Sequence, residues 1–92
     1  MNLETRDAPD RSRYELLDDG EVIGIADYRD DGERVVFPHT VIDRDRRGHG
    51  LGEILVRYAL DDVRSKGRSI VPTCWFVAEF VDLNPEYRDL VA

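Results

Sequence analysis

Ninety-two residues allow one domain, and a chain this short buries only about 60–65% of its unfolded surface, so any site must lie in a groove of that single unit. The net charge of −7, with Lys66 the only lysine, argues against a nucleic-acid surface, which needs a basic face, and favours a cationic partner. A single cysteine excludes an internal disulfide, and neither a membrane span of ~18 apolar residues nor a signal-peptide pattern is present, so a reducing cytoplasm is the expected location.

Met1 to Ser12 is polar, contains Pro9 and reads as a flexible arm, with the folded unit over residues 13–92. Arg13–Leu17, Glu21–Arg29 and Arg34–Ile42 read as strands. They are separated by Asp18-Asp19-Gly20 and Asp30-Asp31-Gly32, turns that accept positive φ, which predicts a three-stranded antiparallel meander. In the second strand Val22, Gly24, Ala26 and Tyr28 share one face and Ile23 and Ile25 the other. Pro38 cannot donate to a ladder, so pairing should lapse there, at an edge or a bulge.

A charged loop, Asp43 to Arg46, leads to a helix from about Gly50 to Lys66. Leu51, Ile54, Leu55, Tyr58, Ala59 and Val63 recur at helical spacing as one buried stripe, and Gly67 ends the helix. Arg68–Pro72 is a fourth strand, placed parallel to the third by a right-handed crossover. The ends of those two strands then lie side by side, next to the start of the helix. Thr73 caps a second helix that runs to about Asp82, with Phe76, Val77, Phe80 and Val81 facing inward; Trp75 also reads as core. Asn84 and Pro85 open a short C-terminal helix.

The densest chemical signal is Arg46-Arg47-Gly48-His49-Gly50-Leu51-Gly52. Three alternate glycines allow a tight turn and a close approach to the backbone. The N–H groups and dipole of the following helix favour an anion, and two arginines add donors for a phosphate or pyrophosphate. A plain glycine-rich turn ahead of a helix is the other reading. Neither the dinucleotide fingerprint nor the phosphate-loop motif is present.

Cys74 follows the fourth strand at a helix start, where a thiol gains reactivity. His39, in the third strand, falls beside it and can take a proton from a thiol or an incoming amine. Each is equally compatible with a structural role, Cys74 as a small buried hydrophobe and His39 as an ordinary strand residue. No spacing of His39, His49 and Cys74 with aspartates matches a metal site, and none is expected.

Arg47 to Gly52 resembles the pyrophosphate loop Gln/Arg-x-x-Gly-x-Gly/Ala of the GNAT superfamily of N-acetyltransferases, with Arg47, Gly50 and Gly52 in the defining places. Phe37-Pro38-His39-Thr40, Val71 to Val77 and Asn84-Pro85-Glu86-Tyr87 resemble the minimal single-domain branch of that superfamily, which carries His-Thr and Pro-x-Cys motifs. The likeness runs from Tyr14 to the end, with Asp43 and Trp75 standing where proline is common.

The resemblance implies a GNAT-like α/β fold: an antiparallel three-stranded meander, a parallel fourth strand, two main helices and a short C-terminal one. It implies acetyl-CoA as cosubstrate, held by Arg46, Arg47, Gly48, His49, Gly50, Leu51 and Gly52, with the pantetheine arm near Ile42. His39 and Cys74 become the catalytic pair. The acetyl group would pass to an amine, on a small molecule or a protein, directly or through an acetyl-Cys74 intermediate. A coenzyme-A-binding module without turnover and an interaction domain without ligand are the competing functions, and monomer and dimer are both compatible with the sequence.

Overall fold

The computed structural model describes residues 1–92. One mixed sheet runs in the order β1 (Leu3–Ala8), β2 (Arg13–Asp18), β3 (Glu21–Asp30), β4 (Arg34–Ile42) and β5 (Ser69–Val71). The first four strands pair antiparallel and β5 pairs parallel to β4. Helix α1 (Leu51–Ser65) makes the crossover between them, α2 (Trp75–Leu83) follows β5, and a 3₁₀ helix spans Pro85–Leu90. Nineteen buried residues form one cluster between the helices and one face of the sheet. No helix is long and apolar enough to cross a membrane.

Four sequence expectations change. Residues 3–8, expected in a loose arm, form the edge strand β1, paired along its length from Leu3↔Asp18 to Ala8↔Arg13. Charged side chains tie it down: Asp7 accepts a hydrogen bond from Tyr28 at 2.7 Å and an ion pair from Lys66 at 3.2 Å. Lys66 also bridges to Asp62 at 2.9 Å, and Asp62 accepts from Tyr14 at 2.7 Å, so β1, β2, β3 and α1 share one polar network. Second, Ile23 leaves the face it was expected to share with Ile25 and joins Ala26 in the core cluster. The register jumps from Leu16↔Gly24 to Leu17↔Val22, so Ile23 is a bulged residue without a partner on β2, and it is fully buried.

Third, the buried stripe of α1 is rotated. Val56 and Leu60 join Leu51, Leu55, Ala59 and Val63 in the core, whereas Ile54 is 43% exposed and Tyr58 half-buried. Both flanks of the stripe are apolar, and packing against α2 and the sheet selects one. Fourth, Thr73 does not cap α2. Its hydroxyl donates instead to the Phe37 carbonyl at 3.2 Å, and Cys74 is the residue ahead of the helix.

Pro38 sits at an irregularity, as its chemistry requires. The pairing passes from Asp27↔His39 to Arg29↔Val36, so Phe37 and Pro38 together oppose Tyr28. On its other side β4 pairs with β5 only from Arg34 to Val36. The Cys74 N–H then closes on the Phe37 carbonyl at 2.8 Å. Beyond that point no strand pairs with the outer edge of β4 from His39 to Ile42, where the Arg47 side chain reaches the Ile42 carbonyl.

Candidate active site

The unpaired edge of β4 is one wall of an open groove of about 540 Å³. The loop before α1, with Trp75 and Phe76, completes the lining. This volume lies in the range of small-molecule sites.

The loop works through its backbone. Gly48 and Gly50 hold φ at +87° and +71°, values that an L side chain resists. Gly50 stands immediately ahead of α1, and no side chain caps that end. The first-turn N–H groups therefore lack an intrahelical partner and carry the positive end of the helix dipole. Gly52 serves packing instead: a Cβ there would lie 2.8 Å from Cζ of Phe76. Leu51 is buried in the core and also lines the groove.

The two arginines differ. Arg46 forms an ion pair with Asp18 at 2.7 Å, which pins the loop to β2 and holds the Asp18 carboxyl below its usual range. Arg47 donates only its Nε, to the Ile42 carbonyl at 3.1 Å, and its terminal nitrogens are free in an exposed position. Ile42 lines the groove while packing on the core against Gly24. His49 is exposed in the loop and does not line the groove.

Strand alternation separates His39 from Cys74. Thr40 faces the helices and lies 3.7 Å from the Cys74 thiol. His39, one residue earlier, points to the opposite face, is exposed, and borders the groove. Cys74 is 8% exposed and outside the groove lining. The two groups flank the unpaired edge and share no hydrogen bond. Sequence reasoning did not place Thr40, Val41 or Glu53 at the groove, and it assigned Trp75 to the core. Trp75 is in fact 73% exposed. No three His, Cys, Asp or Glu side chains converge on a common point.

The fold is thus an α/β sheet that opens beside a glycine loop and an uncapped helix. Residues 13–90 match the family model for GCN5-related N-acetyltransferases, and the chain belongs to that family. A GCN5-like protein from Staphylococcus aureus, solved in solution, superposes with a TM-score of 0.75 at 20% identity, covering 99% of this chain and 89% of that one. A GNAT family acetyltransferase from Elizabethkingia anophelis with acetyl-CoA bound gives a TM-score of 0.61 at 18% identity over 83% of this chain and 53% of that one. Protein NATD1 of Bos taurus is 36% identical over 55 residues, 59% of this chain, and the match spans about half (49%) of that relative's length.

Proposed function

We propose that this chain binds acetyl-CoA and transfers its acetyl group to an amine. The observation that carries the reading is an uncapped helix N-terminus behind two positive-φ glycines, facing an unpaired strand edge. The N–H groups over residues 48–52 would hold the pyrophosphate, with the free end of Arg47; Arg46 serves by fixing the loop to Asp18. Ile42 and the unpaired edge of β4 would flank the pantetheine arm. The acetyl-CoA held by a relative of the same fold supports the choice of coenzyme.

Acetyl-CoA supplies an activated acyl group as a thioester. The amine nitrogen forms the new C–N bond, the C–S bond breaks, and the coenzyme leaves as its thiolate. The surplus amine proton goes to His39, directly or through water. Direct transfer is favoured because the Cys74 thiol is paired with Thr40 and has no base within hydrogen-bond reach. The route through acetyl-Cys74 draws on the place of Cys74 at the start of α2.

An acetyl-transfer assay against an amine panel, with Cys74→Ser and His39→Ala, tests both. Activity lost in His39→Ala while coenzyme binding persists supports the enzyme. An acetyl adduct on Cys74, seen by mass spectrometry without acceptor, supports the two-step route. No transfer by the unmutated protein to any amine would contradict the enzyme and leave a coenzyme-binding module.

A further inference from the structure

Trp75 is the single tryptophan of the chain and its indole is 73% exposed, although it opens a helix whose inner residues are buried. It meets Phe76 at 82° with ring centroids 5.7 Å apart, and Phe76 is in turn set against Gly52. One edge of the indole is thus held and most of it stands open in the groove wall. The preceding residue, Cys74, is bonded to Phe37 and neighbours Thr40, so Trp75 stands close to the part of β4 that carries His39.

The charge beside Trp75 and His39 is acidic. Asp27 lies directly across β3–β4 from His39, and Glu79 follows Trp75 by one turn on the same side of α2. Neither carboxylate is in an ion pair. Helix α2 has no basic residue. Trp75 and His39 therefore each have an unpaired carboxylate beside them. An open indole beside unpaired carboxylates attracts an ammonium group through its ring face and their charge.

We propose that Trp75 is the acceptor-recognising contact, and that the acceptor is a linear alkylammonium carrying a second positive charge besides the amine that reacts. The inference rests on the acetyl-transfer reading and names the side chain that holds the acceptor. It is tested by the emission of this lone tryptophan in low salt, titrated with spermidine and with an amidated lysine-rich peptide, against an uncharged glycol of similar length. A saturable emission change with an amine and none with the glycol is expected; the amine that binds at lower concentration distinguishes a free polyamine from a peptide.

In steady-state kinetics Trp75→Ala should raise the acceptor KM about tenfold with kcat nearly unchanged, and Trp75→Phe should restore most of the loss. Calorimetric affinity for acetyl-CoA should be the same in Trp75→Ala and the unmutated protein. Absence of an emission change with either amine overturns the proposal. So does a Trp75→Ala variant that loses coenzyme affinity and keeps its acceptor KM, because the indole then belongs to the coenzyme's wall. If the unmutated protein transfers no acetyl group, the reading of the reaction fails, and the emission titration still decides whether Trp75 receives an ammonium.

Discussion

Gly50 and Gly52 are two residues apart and do different work. Gly50 carries a φ that a Cβ makes costly, by about 1–2 kcal/mol, so Gly50→Ala should lower the melting temperature by roughly 4–16 °C. Gly50→Glu adds an anion at the proposed phosphate site and should also abolish coenzyme binding, read by calorimetry. Gly52→Ala has an ordinary backbone but drives its methyl into Phe76. It should cost about 1–3 kcal/mol in thermal denaturation and disturb the groove wall that Phe76 forms. His39→Ala should reduce kcat/KM by about 10²–10⁴ if the imidazole takes the amine proton, with coenzyme affinity unchanged.

At this scale the motif was legible and its division of labour was not. Gly-x-Gly-x-Gly announces an unusual turn. It does not say that the last glycine answers to a ring 24 residues away, which only the packing of α1 on α2 supplies. Arg46 and Arg47 look alike in sequence. They part because Asp18, distant in the chain, pairs with one of them.

The meander, the parallel crossover and the pairing lapse at Pro38 follow from turn residues, helical spacing and the missing proline N–H, all local signals. Strand β1 gave no such signal. Its residues alternate half-buried with exposed, and its stabilising partners, Glu15, Tyr28 and Lys66, are scattered along the chain. Hydrogen exchange followed by NMR checks it: β1 amides bonded to β2 should be protected well above random-coil rates, whereas a loose arm would exchange at once. Cys74 illustrates the same limit. Its place after β5 is readable, yet strand alternation sends His39 to the far face and leaves Thr40 beside the thiol.

Across the whole molecule, the outer face of the sheet carries a fully buried carboxylate, Glu15. Burial, the largest single influence, pushes its carboxyl up; hydrogen bonds from Arg6 and Arg13, with their charges, outweigh it and hold the group below the usual carboxylate range. A carboxyl depressed in the folded state adds stability above its unfolded value of about 4.3, and that stability is lost as pH falls through the folded value. Thermal stability should therefore be nearly flat from about pH 7 to 5 and decline below about pH 4. The decline should be shallower in Glu15→Gln. Arg13→Ala, which strips a pair of hydrogen-bonding contacts from the buried oxygen, should cost about 2 kcal/mol in denaturant unfolding at neutral pH.

The central claim is that the loop from Arg46 to Gly52 is an acyl-coenzyme site within an otherwise acidic protein. Isothermal titration calorimetry with acetyl-CoA, with ATP as the control, tests it most directly. Saturable binding of acetyl-CoA and none of ATP is the predicted result. Binding of neither would contradict the claim and return His39 and Cys74 to structural roles.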